Sequence, residues 1–326
     1  MTNTSHAYNH TRNGIRFIHA MLLAVTLATG AVSVFAAVTV PAPLLEFLFN
    51  EASGTTTTGT TTTGTGSGST GTVATYQDST GAAASLHSAD TFGVSGQAGD
   101  YAFDNTASTG MGSAGTGGRV YAGNVATAQG LTSFTLQGWF YSDTQINGAA
   151  RLLDDQSGGA QGFGLRADNN AGRLVLTVNS TSSAASAASY TQTNQWVFFA
   201  VTYDGSQTSS NVNFYIGTTT SGVSLVGTHT LNAGQSQANL LPLVIGNSTG
   251  SNNASNINNR PFDGYLDNIR VYGSVNDNTG VLGIAQLEAI RSSDVTPVPE
   301  PVTTALLGGA GMLLIAVIMR RKHIRL

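Results

Sequence analysis

The sequence predicts an all-β protein built around an antiparallel jelly-roll β-sandwich. Trp196–Tyr203 is a run of eight apolar or β-favouring residues that ends at the turn sequence Asp204-Gly205. A run that is short, β-branched and aromatic predicts a strand that is buried on both faces. Similar short runs recur along the chain with Gly, Asn, Asp and Ser between them, and only residues 281–290 have helical spacing. This pattern is typical of a sandwich or a jelly roll.

The other predicted elements follow in order along the chain. The remaining strands are 44–51, 101–103, 134–141, 162–167, 173–179, 212–216, 223–231, 241–245 and 265–272. Residues 54–71 form a Thr/Gly tract that contains no apolar residue. Such a tract cannot supply core side chains, so the sequence predicts a flexible low-complexity insertion there. The stripe formed by Ile284, Leu287 and Ile290 predicts a short closing helix.

Composition and charge exclude several classes of protein. Only 9% of the residues are charged, and the basic residues between the two apolar ends are seven arginines against 17 acidic residues. A nucleic-acid partner requires a basic patch, so we expect no such partner. The chain contains no Cys, which excludes disulfides and thiolate metal sites.

Residues 1–37 have the organisation of a secretory signal peptide. Arg12 and Arg16 precede the apolar run Ala20–Ala37, which ends in small residues where a signal peptidase would cut. That order predicts export of the mature chain. The run is slightly long for the apolar region of a signal peptide, so an uncleaved anchor helix is the alternative.

The C-terminal end predicts a membrane helix. Residues 302–319 are uncharged, and as a helix these 18 residues would be about 27 Å long, enough to cross a thin hydrocarbon core. The basic tail 320–326 follows at once, and the positive-inside rule keeps it cytoplasmic. The prolines of the linker 294–301 prevent a helix or strand from continuing through it. We therefore expect the domain at residues 38–293 to lie outside the cell.

The order of elements at this end is specific. Pro299, Glu300 and Pro301 stand before the helix, and the tail after it begins with Arg320 and Arg321. This order resembles the PEP-CTERM sorting signal, which an exosortase, a membrane-embedded cysteine protease, processes near Pro-Glu-Pro. The resemblance implies a membrane-anchored chain that is released to the surface or the extracellular matrix of a Gram-negative bacterium. A plain C-terminal anchor is the alternative.

Short motifs occur in a recognisable order through the central region. They are Glu51–Gly54, Asp78–Gly81, Phe134–Trp139, Trp196–Gly205, Val212–Gly217, Leu243–Gly246 and Phe262–Tyr272. In this order they resemble the laminin-G-like, concanavalin A-like lectin/glucanase jelly roll, over roughly residues 44–292. The resemblance implies a domain that binds a carbohydrate or a protein rather than transforming one.

The carboxylates do not match the catalytic members of that superfamily, which carry two Glu flanking an Asp on one strand. The glutamates of the mature chain are Glu46, Glu51, Glu288 and Glu300. None of them belongs to such a trio, and the adjacent Asp154 and Asp155 would point to opposite faces of a strand. We therefore expect no enzymatic activity, with a divergent glucanase as the less favoured alternative.

Calcium is the cofactor that the sequence favours. Calcium takes several oxygen ligands from carboxylates, amides and carbonyls, and turns rich in Asp and Asn are common in this chain. The resemblance implies one structural calcium near the sheet edge, with Asp267 as the best ligand and Glu51 and Asp78 as further candidates. Alternatively, Asp267 caps a turn or pairs with Arg270.

The ligand-binding residues are not predicted. A sugar site needs exposed aromatic rings near polar groups, but we expect every ring of Trp196–Tyr203 to pack in the core. One hypothesis is a lectin-like module for the producer's own exopolysaccharide. The other is a structural or adhesive matrix protein without a sugar site.

Overall fold

The structure is a computed structural model that describes residues 38–62, 69–111, 116–156, 161–168, 172–179, 182–239, 241–249, 257–258 and 260–296. The described elements belong to the compact unit that begins at Val40. The predicted signal peptide at 1–37 falls outside the described residues, as do Pro299-Glu300-Pro301, the predicted membrane helix at 302–319 and the basic tail.

Seventeen strands, one 3-10 turn and one α-helix form the described part of the chain. The strands are β1 Leu45–Phe47, β2 Thr56–Thr62, β3 Ser69–Gln77, β4 Phe103–Asp104, β5 Arg119–Tyr121, β6 Ser133–Tyr141, β7 Arg151–Asp154, β8 Phe163–Ala167, β9 Leu174–Val178, β10 Ser182–Ala185, β11 Val197–Asp204, β12 Val212–Thr218, β13 Ser224–His229, β14 Val244–Ile245, β15 Ser248–Thr249, β16 Ile257–Asn258 and β17 Tyr265–Ser274. The 3-10 turn is Ala126–Ala128, and the helix α1 is Ile284–Val295.

All pairings between these strands are antiparallel. Their order is β10-β9-β8-β7-β14-β5-β3-β2-β1-β17-β6-β11-β12-β13, with β4 beside β17 and β15 paired with β16. In this order, we call the strands from β10 to β3 the first half and the strands from β1 to β13 the second half, and β2 lies between the two halves. Leu153 and Leu165 of the first half share one buried cluster with Leu136 and Val201 of the second. The fold is therefore an all-β sandwich with antiparallel sheets, consistent with a jelly roll.

Strand β11 confirms the strand predicted from the longest apolar run, and all of its residues are buried. Phe199 and Tyr203 pack in the main core between the two halves. Phe198, on the opposite face, packs in a second core with Trp196 and with Leu287 of helix α1. The predicted core packing of these rings is confirmed, because the helix covers the face that the sandwich leaves open.

Five short strands, β5, β7, β10, β15 and β16, were not predicted from the sequence. β5 and β7 have three and four residues and each begins with an arginine, and β10 consists of Ser and Ala. None of them contains a long apolar run. Pairing with neighbouring strands, rather than local preference, holds such segments extended.

The prediction of a flexible insertion at residues 54–71 is wrong for most of that tract. β2 and β3 pair antiparallel along seven residues. Threonine is β-branched and favours strands, and Thr57 is fully buried. Gly59 lies against Phe47 of β1, where an added Cβ would come within 2.6 Å of the ring. The tract packs against the sandwich because Gly59 has no side chain and so leaves room for the Phe47 ring.

We expect Gly59→Ala to lower the free energy of unfolding by about 1–3 kcal/mol, because the added methyl group over-packs the contact with Phe47. Chemical denaturation of the variant and the wild type measures the difference. Thr58→Ala, at the exposed neighbouring position, is the control and should stay within about 1 kcal/mol. Equal stability of the Gly59 variant and the wild type would show that the tract does not pack on β1.

The predicted closing helix is confirmed, with two corrections. Leu287 and Ile290 of the predicted stripe are buried, but Ile284 is 47% exposed at the first position of the helix. The helix also continues to Val295, so the predicted linker does not begin at residue 294. Asp294 belongs to the domain, because its carboxylate bonds to the sheet as described below. No helix in the described part of the chain combines the length and apolar character that a membrane span requires.

Candidate functional site

Asp267, the best predicted metal ligand, lies at a bulge in strand β17. The register with β6 shifts between Asp267 and Arg270, which leaves one extra residue on β17. Asn268 has a φ of 49°, in the left-handed region that Asn tolerates better than most residues. A bulge changes the direction of nearby side chains, and here the Asp267 side chain is fully buried.

The Asp267 carboxylate is held by two backbone N–H groups. Oδ2 accepts from Val94 at 3.0 Å, and Oδ1 accepts from Asn268 at 2.7 Å. The ion pairs found among the described residues do not include Asp267. Burial, followed by repulsion from Asp100, raises the pKa of Asp267 well above its ordinary value. This environment favours either a proton or a bound cation.

A polar cleft of about 410 Å³ lies beside this bulge. Its walls include Asn50, Ser95, Asp100, Asn268 and Thr296. Asp100 Oδ2 accepts hydrogen bonds from the N–H and the hydroxyl of Ser95, at 2.7 and 2.6 Å. Amide, hydroxyl and carboxylate oxygens of this kind suit a hard cation or the hydroxyl groups of a small ligand.

The alternative pairing of Asp267 with Arg270 does not occur. Arg270 Nε donates to Glu46 at 2.5 Å, and its two Nη atoms donate to the two oxygens of Asp294 at 2.9 Å. Trp139 Nε1 also donates to Asp294, at 2.8 Å. Burial lowers the pKa of Arg270, but the carboxylates of Asp294 and Glu46 raise it to a net value above the ordinary one. This network joins β1, β6 and β17 to helix α1.

The other two predicted metal ligands make local contacts. Glu51 Oε1 accepts hydrogen bonds from the Thr57 hydroxyl and the Thr58 N–H, at 3.0 and 2.9 Å. Asp78 Oδ1 accepts from the hydroxyl and N–H of Thr80, and these bonds lower the pKa of Asp78. Within the described ranges, no three Asp, Glu, His or Cys side chains are grouped as a metal site would need.

The carboxylates that were considered for catalysis lie in separate places. Glu46 pairs with Arg270, as above. Glu288 accepts hydrogen bonds from Arg291, which lower the pKa of Glu288 to about 2. Asp154 and Asp155 are both buried at the end of β7, and burial raises the pKa of each.

Four aromatic rings form a cluster where β6 ends and β17 begins. Phe92 contacts Tyr265, Tyr141 and Trp196, with ring centroids 4.3, 5.3 and 6.1 Å apart. Trp196 is 9% exposed, whereas the other three rings are half-buried. Tyr265 pairs across strands with Asp104, and burial together with that carboxylate raises the pKa of Tyr265. We call these four rings the ring cluster.

A family model for laminin-G-like domains, described as the concanavalin A-like lectin/glucanases superfamily, matches residues 114–279, about half of the chain. The chain belongs to the concanavalin A-like lectin/glucanases superfamily. As the name states, this superfamily contains both lectins and glucanases, so membership establishes the fold and not the activity.

The solved structures that match this chain are distant from it in sequence and superpose on it only in part. A heptameric SAP-like pentraxin from Limulus polyphemus is 16% identical, with 50% of this chain and 73% of that chain covered and a TM-score of 0.37. The botulinum neurotoxin serotype D binding domain is 11% identical, with coverages of 77% and 50% and a TM-score of 0.45. A Trypanosoma rangeli sialidase, solved with 2,3-difluoro-KDN, is 14% identical, with coverages of 81% and 36% and a TM-score of 0.42.

This chain spans half or less of the length of the neurotoxin domain and the sialidase. All three TM-scores are below 0.5, so these structures carry no information about function here. No curated protein sequence matches the chain.

The ring cluster was not predicted as a site from the sequence. Its members come from four distant positions that no single motif connects. The available signal was that Tyr141 and Tyr265 stand at the ends of two predicted strands, where side chains reach the rim of a sheet.

Proposed function

We propose that this protein is an exported surface or matrix protein whose concanavalin A-like domain binds carbohydrate without transforming it. Membership of the concanavalin A-like lectin/glucanases superfamily is the observation that supports this function most strongly. The composition, with only 9% charged residues, also suits a hydrated polysaccharide matrix. The proposed ligand is the exopolysaccharide of the producing cell.

The ring cluster is the surface that we propose to contact the sugar. Its half-buried rings keep apolar surface accessible, and the C–H face of a sugar ring packs on such surface. Polar groups lie next to the ring cluster. Asp104 pairs with Tyr265 across strands, and its carboxylate accepts a hydrogen bond from the Thr106 hydroxyl at 2.7 Å. Aromatic walls with a few oriented polar groups are the usual composition of a small-ligand site.

Export and sorting are proposed from the two ends of the chain. The signal peptide at 1–37 supports export, and Pro299-Glu300-Pro301 with the uncharged segment 302–319 and the Arg-rich tail supports processing by an exosortase. The helix would hold the protein in the membrane until that step, after which the domain is released to the cell surface or matrix.

Calcium is proposed as a structural cofactor on the Asp267 side of the polar cleft. Asp267 is fully buried with no ion pair among the described residues, and the neighbouring Asp100 adds repulsion. A divalent cation held by these two carboxylates would compensate both charges. Glu51 and Asp78 are not part of this proposal, because one oxygen of each already accepts a local hydrogen bond, from Thr58 and Thr80 respectively.

Binding of the purified protein to the producer's exopolysaccharide and to a glycan panel, with calcium and then with a chelator, tests the proposed function. We expect saturable binding without hydrolysis of the glycan. Tyr265→Ala should weaken it by about tenfold or more, as truncation of a central interface aromatic typically does. Tyr121→Ala removes a half-buried tyrosine outside the ring cluster and should leave binding unchanged.

Each outcome separates the hypotheses. Loss of folded structure on chelation would support the structural calcium. A binding constant that does not change on chelation, with an unchanged fold, would contradict it. No saturable binding in either condition would overturn carbohydrate binding and favour a structural matrix role, and hydrolysis of the glycan would overturn binding without turnover.

A further inference from the structure

Another cavity, on the outer face of the first half of the sheet, is lined by three arginines. Its volume is about 270 Å³, and its walls include Arg151 of β7, Arg166 of β8 and Arg260 in the loop before β17. Leu165 and Ala167, the neighbours of Arg166, lie in the main core, so the Arg166 side chain is on the outer face. We call this cavity the arginine pocket.

The sheet places two of these arginines directly opposite each other. Arg151 pairs in register with Arg166 across β7 and β8. On the other side, the Arg151 N–H donates to the Arg260 carbonyl at 3.1 Å. Like charges directly opposite on adjacent strands destabilise a sheet. After burial, repulsion from Arg151 is the next cause that lowers the pKa of Arg166.

Five arginines of the central region have side-chain partners in the structure, and Arg166 is one of them, because its Nη1 donates to the Thr177 hydroxyl at 3.3 Å. Arg173 pairs with Asp168, Arg270 with Glu46 and Asp294, Arg291 with Glu288, and Arg119 donates to Gln77. In contrast, Nε and Nη1 of Arg151 are buried with no hydrogen-bond acceptor among the described residues. Buried donors in native proteins almost always have an acceptor, so a partner is expected here.

One carboxylate, that of Asp154, faces the three charges. Its Oδ2 lies 3.6 Å from Arg151 Nε, too far for a good hydrogen bond, and its Oδ1 is buried without a partner among the described residues. Burial raises the pKa of Asp154 to about 7 in spite of the three arginines. Asp168, the other acid near Arg166, is already paired with Arg173. One weakened acid cannot neutralise three guanidinium groups.

We propose that the arginine pocket binds an oxyanion group of an acidic glycan, either the carboxylate of a uronic acid or a sulfate ester. This inference rests on the proposed carbohydrate binding and names the chemical class of the ligand. Guanidinium groups match carboxylate and sulfate oxygens through paired N–H donors. The cavity is slightly smaller than the roughly 300 Å³ lower limit for drug-sized ligands, so it suits one charged group on one sugar unit.

Thermal unfolding of the full chain tests the pocket with free anions. Sodium sulfate or sodium glucuronate replaces sodium chloride at constant ionic strength, and we expect each to raise the Tm of the wild type by binding the folded state. Arg166→Gln should weaken the apparent affinity by about 10- to 100-fold, the range expected for one charge-assisted hydrogen bond. The variant should change the Tm in chloride little, because the repulsion from Arg151 that it removes offsets the lost hydrogen bond to Thr177.

Two further variants control this measurement. Arg173→Gln makes the same change in net charge outside the pocket, at a side chain that is 40% exposed, and should keep the response to sulfate. Arg260→Gln alters a loop residue rather than a paired strand, so it tests the pocket if the Arg166 variant does not fold. If the arginines only compensate the charge of Asp154, sulfate will not raise the Tm of the wild type. The Arg166 and Arg260 variants will then have a lower Tm than the wild type in chloride.

Glycan binding then separates this inference from the proposed function. Binding of a polyuronate that is lost in Arg166→Gln, with weak binding of neutral dextran, supports both. Binding of neutral glycans without any response to sulfate or glucuronate overturns the inference and leaves the proposed function in place. A sulfate response with no binding of any glycan supports the anion pocket and overturns its assignment to a carbohydrate.

Discussion

Arg270→Met is expected to lower the free energy of unfolding by about 3–5 kcal/mol, the typical effect of removing one partner from a buried ion pair. The side chain of Asp294 is only 4% exposed, and without Arg270 it keeps the Trp139 indole N–H as its side-chain donor. Glu46 loses its guanidinium partner as well. The variant therefore leaves buried negative charge without compensation and loosens helix α1 from the sheet.

Chemical denaturation measures this loss at neutral pH. Arg173→Met is the matched control, because its partner Asp168 is 28% exposed and Arg173 itself is 40% exposed. Surface ion pairs contribute about 0–1 kcal/mol, so the control should remain close to the wild type. Similar small losses in both variants would show that the Arg270 network contributes no more than a surface pair.

Asp154→Asn is expected to remove a pH-dependent loss of stability of about 4 kcal/mol. Burial raises the pKa of Asp154 from its ordinary 3.8 to about 7. Between these values the folded protein holds a proton that the unfolded chain has released, so rising pH favours the unfolded chain. The loss is absent below pH 3.8 and complete above about pH 7, and a pKa change of this size corresponds to about 4 kcal/mol.

The measurement compares unfolding of the wild type and of Asp154→Asn at several values between about pH 4 and pH 8. The two proteins should have similar stability at the acidic end. At the alkaline end the variant should be the more stable one, because it has no carboxylate to ionise. Other titrating groups are the same in both proteins, so parallel pH profiles would contradict a raised pKa at Asp154.

Local patterns were sufficient for the frame of this domain. The strands at Phe134–Tyr141, Trp196–Tyr203 and Tyr265–Tyr272 were predicted close to their bounds, and each lies in the second half of the sheet. A strand buried on both faces requires continuous apolar residues, and this requirement is visible in the sequence itself. The Thr/Gly tract had no such signal. Gly59 packs against the Phe47 ring only because it has no side chain, and a glycine adds nothing to an apolar pattern.

The sites depended on contacts between distant residues. The sequence indicated that Asp267 was important, but only the fold showed that it is buried beneath the Val94 backbone while Arg270 pairs elsewhere. The ring cluster joins residues 92, 141, 196 and 265, and the arginine pocket joins residues 151, 166 and 260. No local periodicity relates these positions.

By itself, the sequence determined an antiparallel all-β domain with a β11 core strand, because alternation and apolar runs report how each segment is buried. The order of its short motifs added a resemblance to laminin-G-like domains. The sequence also predicted the export and sorting signals at the two ends. The tertiary structure alone decided which carboxylates are compensated and which arginines face one another. Electrostatic cost and binding depend on distances across strands, and those distances are set by the register of the sheet rather than by neighbours in the chain.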